Sequence, residues 1–134
     1  MSVRTTFLAP PPGFAPEVDF ILSAVDGAEG LYSLKSEHGS GDTEGLRLFV
    51  LDAAVYLPEY RPEISDDQRL QLDLADSAEA RVLVVTNSTE AGTTVNLLAP
   101  IVLNTRTLRC AQVILDGQDW PVRVPLEEAA AAAA

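Results

Sequence analysis

Cationic residues, histidine and cysteine are all scarce in this chain. Its 134 residues include only 9 Lys and Arg against 20 Asp and Glu, a formal net charge of -11. A polyanionic surface repels phosphate backbones and has no cationic surplus to displace counterions, which argues against direct nucleic-acid binding. The same surface suits a basic protein partner, and would compete with any RNA that such a partner holds; the plainer reading is that it keeps the protein soluble. Cys110 is the single cysteine, so an internal disulfide and a multi-cysteine zinc site are excluded, and a reducing compartment fits best. In a strand-like stretch, it reads as a small buried hydrophobe and not as a reactive thiolate. His38, the single histidine, has no second histidine or cysteine at ligand spacing and reads as a solvated loop residue. No apolar run reaches the roughly 18 residues of a membrane span, and Met1-Ser2-Val3-Arg4 leads into prolines instead of a signal-peptide core. The expectation is a cytoplasmic protein without membrane contact. Phosphate-cradling glycine motifs and an EF-hand pattern are missing too, so no cofactor is expected.

What remains is ordinary globular material, 47% hydrophobic and 22% charged, enough for one core. The chain divides into a proline-rich lead-in over 1–16, a single β domain over 17–126 and an alanine-rich tail over 127–134, too short for a stable helix and expected to be disordered. Within the domain, Asp19 to Leu22 and Leu31 to Lys35 read as a hairpin around Asp26-Gly27-Ala28-Glu29-Gly30. Ser36 to Gly45 reads as an exposed loop. Arg47 to Asp52 and Ala53 to Leu57 have strand content, and Arg81 to Thr86 has the β-branched run of a central strand buried on both faces. Thr94 to Leu98 and Ile101 to Asn104 read as strands split at Ala99-Pro100, and Arg109 to Leu115 as a returning antiparallel strand. Between them, Ser65 caps one short helix with Gln68 reaching back to it, Asp66 and Asp67 at the positive dipole end, and Leu70 and Leu74 toward the core. The fold class is therefore mainly β, an antiparallel partly closed barrel or sandwich with one short α-helix.

No catalytic constellation assembles from these residues. Asp66/Asp67 and Asp73/Asp76 are the available carboxylate pairs, but neighbours on a helix do not face each other, and the dipole explains the first pair better. One distribution does stand out: Glu59, Glu63, Asp66, Asp67, Asp73, Asp76 and Glu79 are opposed only by Arg61 and Arg69. This acidic face is either a solvated helix surface or a docking patch for a basic partner, with Tyr56, Tyr60 and Trp120 as possible aromatic anchors.

The stretch Thr94-Val-Asn-Leu-Leu-Ala-Pro-Ile-Val-Leu-Asn104 resembles the signature of the FliW family of flagellar assembly factors. Tyr56-Leu-Pro-Glu-Tyr60 with Pro62, Gln112-Val-Ile-Leu115 and Trp120-Pro-Val-Arg123 with Pro125-Leu126 are similar to further family segments, together covering about two thirds of the chain from Leu31 onward. The resemblance implies an antagonist of CsrA, a small dimeric repressor of flagellin translation, that also binds flagellin. Cytoplasmic flagellin would occupy the protein and free CsrA to repress; flagellin export would reverse this. The alternative is a flagellin-specific assembly chaperone without CsrA regulation. Partner contacts are assigned to Tyr56, Glu59, Tyr60, Glu63, Asp66, Asp67, Asn96, Pro100, Asn104, Trp120 and Arg123, with Asn96 and Pro100 also readable as folding determinants beside a bend. A monomer is favoured. The chain departs from the family pattern in its short start, where only Pro12-Gly13-Phe14 matches a longer segment and one or two barrel strands are expected to be missing or rebuilt. Other departures are the long Ser36 to Gly45 loop, Cys110-Ala111, and Val124 where a histidine is frequent.

Overall fold

Seven strands close on themselves in a computed structural model that describes residues 2–10, 18–36, 47–57, 60, 62–75, 79–90, 92–115, 117, 120 and 122–126. They are β1 (Ser2–Phe7), β2 (Asp19–Ala24), β3 (Leu31–Ser36), β4 (Arg47–Asp52), β5 (Ala80–Thr89), β6 (Gly92–Asn104) and β7 (Arg109–Gln112). Each strand from β1 to β6 runs antiparallel to the next, and β7 runs antiparallel to β6. An odd number of alternating strands must close with a parallel pair, and β7 does pair with β1 in parallel, Thr6 opposite Arg109 and Phe7 opposite Cys110. The expected choice between barrel and sandwich thus resolves to a closed barrel. A short β8 (Val124–Pro125) adds to the outside of β6 at Thr94 and Val95.

The first correction concerns the lead-in. Residues 2–7 form β1, which supplies the seam of the barrel, in register with β2 from Ser2 opposite Ser23 to Thr6 opposite Asp19. The prolines that follow drew the expected boundary too late, because Thr5 and Phe7 are buried in the alternating pattern of a strand. The Thr5 hydroxyl donates to the Leu108 carbonyl at 2.7 Å, tying the seam together.

Alternation explains how one wall carries two cores. Val50, Leu83 and Ile101 point into the barrel with Phe7, Phe20 and Leu34. Their neighbours Leu51, Val84 and Val102 point outward, yet are equally buried, beneath Leu57, Tyr60, Leu72 and Leu115. The apolar run of β5 is thus covered on both faces, as its composition indicates. Inside the barrel Phe7 and Phe20 meet edge to face at 5.2 Å. Cys110 lies in the same core, and burial pushes its thiol up to about 12.

Among the described residues two short helices cover the outer core, where the sequence predicts one. Ala53 to Leu57, expected as strand, begins with the helical turn α1 (Ala53–Tyr56): the Asp52 carboxylate accepts from the Ala54 amide at 3.0 Å, and Leu57 N–H reaches Ala53 O at 2.7 Å. A capping aspartate directly after a strand overrides the strand propensity beyond it. The second helix, α2 (Asp66–Gln71), has the predicted capping box between Ser65 and Gln68. Leu70 does not face the core; it is 78% exposed, whereas Leu72 is 1% exposed. The helix ends at Gln71 and Asp73 turns left-handed at φ 55, so helical spacing does not carry from Leu70 to Leu74, though Leu74 still packs on the outer core.

The expected split in β6 takes the form of a bulge in one continuous strand. Leu83 faces Ile101 but Val85 faces Asn96, so residues 97–100 are spliced in opposite Val84. The return from Arg109 holds: β7 pairs with β6, and beyond it Val113 and Leu115 donate to Pro100 O and Leu98 O. At the β2–β3 turn Gly30 has φ +85, and a Cβ there would sit 2.9 Å from the Tyr56 ring and from Val55, so only glycine fits. The expected loop after Ser36, which itself closes β3, and the tail over 127–134 lie outside the described residues.

Candidate partner-binding surfaces

The acidic face divides into two parts. Glu63, Asp66 and Asp67 are exposed around the start of α2, where the two aspartates also complement the helix dipole. Asp73 and Glu79 are instead held by Arg106, whose guanidinium reaches Asp73 Oδ2 at 3.0 Å, Asp73 O at 2.9 Å and Glu79 Oε2 at 2.8 Å. These bonds raise the Arg106 pKa further above its ordinary value. Glu59, Arg61 and Asp76, counted in the same face, lie outside the described residues. Asp66 and Asp67 in the first turn of α2, with Glu63 just before it, therefore form an exposed anionic stretch, and Asp73 beyond the helix is exposed as well although Arg106 binds it.

The aromatic residues serve the fold. Tyr60 is buried, donates its hydroxyl to the Leu97 carbonyl, and meets Trp120 edge to face at 4.7 Å. Its burial raises the phenol pKa well above the ordinary value, so it stays neutral. Trp120 is half-buried on the outer core with Val124 and Leu126. Tyr56 is also half-buried, its hydroxyl donating to Glu29 O at 3.0 Å to join α1 to the β2–β3 turn.

The family-like strand is equally structural. Asn96 Oδ1 accepts from the Leu98 and Ala99 amides, both at 3.0 Å, and so caps the bulge. Pro100 is buried in that bulge. Asn104, 0% exposed, donates to Leu72 O at 2.8 Å and Asp73 O at 3.1 Å, and accepts from the Arg106 and Thr107 amides at 2.8 and 3.1 Å. It fastens the end of α2 to the β6–β7 turn. Of the residues expected to touch partners, Glu63, Asp66, Asp67 and Arg123 lie exposed, and Arg123 sits beside β8, away from the capping helix in sequence.

Two concavities escaped the sequence reading. One, about 440 Å³, opens between Ala53, Leu57, Tyr60 and Val82, with Asp52 and Arg81 at its mouth, Arg81 Nε 3.7 Å from Asp52 Oδ2. The other, about 490 Å³, runs between the end of β1, α2 and the stretch after β7. A detectable signal for the second is the run from Ala111 to Leu115, apolar at both alternate sets of positions except Gln112, although only one set is buried. Among the described residues, no group of three or more His, Cys, Asp or Glu is arranged to hold a metal ion, and no helix is long and apolar enough to cross a membrane.

This architecture defines a class: a small closed barrel, one outer wall capped by two short helices and a crossing C-terminal segment. The chain belongs to the FliW protein family, whose model matches residues 3–126. It is 29% identical over 117 residues to the flagellar assembly factor FliW of Clostridium kluyveri, covering 86% of this chain and 78% of that protein. It is 31% identical over 114 residues to the namesake from Desulfitobacterium hafniense, covering 84% and 72%. The match to the Syntrophus aciditrophicus protein is 34% over 76 residues, 55% of this chain and only 48% of that relative. A crystal structure of a flagellar assembly factor FliW superposes with a TM-score of 0.80 at 25% identity, covering 92% of this chain and 84% of that one. The short start still supplies β1, which closes the barrel of this chain against β7.

Proposed function

We propose that this chain is a cytoplasmic regulatory binding protein of flagellum assembly that works without catalysis, binding the repressor CsrA and, in exchange, flagellin. Bound CsrA is withdrawn from flagellin messenger RNA; flagellin that accumulates releases it again. The observation that carries this reading is family membership over nearly the whole chain, joined to a net charge of -11. A polyanionic domain attracts a basic RNA-binding protein and repels the RNA that protein holds, so binding and displacement follow from one electrostatic asymmetry. The exposed carboxylates of Glu63, Asp66 and Asp67 are the proposed steering patch.

Calorimetric titration with CsrA at two salt concentrations, with and without flagellin, tests this. CsrA binding that weakens with salt and disappears when flagellin is present is the expected result. Binding to flagellin alone would leave an assembly chaperone and remove the regulatory role; binding to neither would refute the proposal.

A further inference from the structure

The barrel closes its seam incompletely. Leu8 N–H donates to Cys110 O at 2.9 Å, and there β1 stops pairing with β7. Beyond that point Val113 and Leu115 turn their amides toward β6, to Pro100 O and Leu98 O. Backbone groups alternate sides along an extended chain, so Gln112 and Ile114 must turn theirs away from β6, into the 490 Å³ groove. Among the described residues no backbone group meets these two amides, and the Ile114 carbonyl receives only a long 3.4 Å contact from Gln68 Nε2. Leu8 and Ile114 stand 39% and 58% exposed along the same groove.

The lining is also electrically distinctive. On a chain of net charge -11, no ionisable side chain lines this groove among the described residues; its polar members are amides, Gln68, Gln71 and Gln112 included. Strand-edge groups that meet no partner among the described residues suit extended backbone, apolar walls suit apolar side chains, and an amide rim neither attracts nor repels charge. A second copy of this chain fits poorly, since it would present the same concavity and the same negative field.

We propose that this open edge, from Ala111 to Ile114, takes up an extended, uncharged, apolar segment of a partner protein as an added strand. The site is separate from the anionic patch around Glu63, and its occupancy is insensitive to salt. The proposal does not rest on the identity of the regulatory partners.

The test uses the full chain, isotope-labelled, titrated by NMR with the probe peptide Ac-Thr-Val-Thr-Leu-Thr-Val-NH2 and with its fully N-methylated counterpart. Saturable amide shifts confined to Leu8, Ala9, Gln68, Gln71 and Ala111 to Ile114, equal at low and high salt, are expected from the first peptide and absent with the second. Ile114→Lys, at an exposed position, should weaken binding at least tenfold while leaving the spectrum elsewhere unchanged. Absence of saturable shifts, equal binding of the N-methylated peptide, or shifts centred elsewhere would each overturn the proposal. Concentration-dependent shifts at these residues without peptide would assign the edge to a second copy and overturn it as well.

Discussion

Asn104 offers the sharpest stability test, because its side chain is completely buried and uses both ends of the amide. Truncation in Asn104→Ala removes four hydrogen bonds, but their losses are unequal. Asp73 O keeps a bond from Arg106 Nη2 at 2.9 Å, and the Arg106 and Thr107 amides lie in a partly exposed turn where water can replace the lost acceptor. Leu72 O belongs to a residue 1% exposed and loses its side-chain donor. Leaving one such group unsatisfied costs about 1–3 kcal/mol, and each remaining bond contributes about 0.5–1.5 kcal/mol net when it is not replaced. With the other losses largely replaced, the sum is about 2 kcal/mol, which for a chain of this size lowers the melting temperature by roughly 7 °C. Urea unfolding followed by Trp120 fluorescence measures it, because Trp120 packs on the outer core that the latch holds down. Asn104→Asp keeps the acceptor and loses the donor, and should be at least as unstable at neutral pH. A cost under about 1 kcal/mol for Asn104→Ala at unchanged m-value would refute the latch.

Three further outcomes follow from the same geometry. Ser65→Ala removes the hydroxyl that caps α2 and should cost about 1 kcal/mol, seen as faster hydrogen exchange in residues 66–72 with little change in the barrel; uniform exchange changes would contradict it. Cys110 should resist alkylation in the folded protein at pH 8 and react on unfolding. Because its pKa rises from the ordinary 9.0 to about 12 on folding, the folded state keeps a proton that the unfolded state gives up, and this contribution to stability is lost as pH rises through that window. Rapid alkylation without unfolding would contradict the buried seam. Charge reversal at Glu63, Asp66 and Asp67 should slow CsrA association several-fold at low salt with a smaller effect on dissociation, by stopped-flow mixing; an unchanged association rate removes the steering role.

The elements legible in the sequence are those whose signal is local. Ser65 with Gln68 specifies a helix start within four residues, and the structure forms that capping box. The β-branched run at Arg81 to Thr86 signals burial on both faces, and β5 has both. What escaped depended on distant partners. β1 looks like a short prelude to prolines until β7, about a hundred residues later, needs a parallel neighbour to close an odd-numbered barrel. Leu70 and Leu72 are equivalent by composition, and only the way α2 lies on the outer core decides that Leu72, its C-cap, is buried and Leu70 is not.

By the same reasoning, three residues of the stretch that carries the resemblance have structural roles. Asn96, Pro100 and Asn104 lie in the stretch that carries the resemblance, yet the first caps a bulge, the second is buried in it and the third latches a helix to a turn. Asn104 uses both ends of its amide inside the fold and Asn96 uses its Oδ1, so substitution at either position should disturb stability. The two surfaces proposed for recognition are compositionally plain: the exposed carboxylates of Glu63, Asp66 and Asp67 around the start of α2, and an uncharged strand edge beside Leu8 and Ile114. On the two proposals above, the first would act over distance and weaken with salt, whereas the second would act only on contact and would not. The proposed partner exchange could use that difference, because ionic conditions that weaken the first contact would leave the second unchanged.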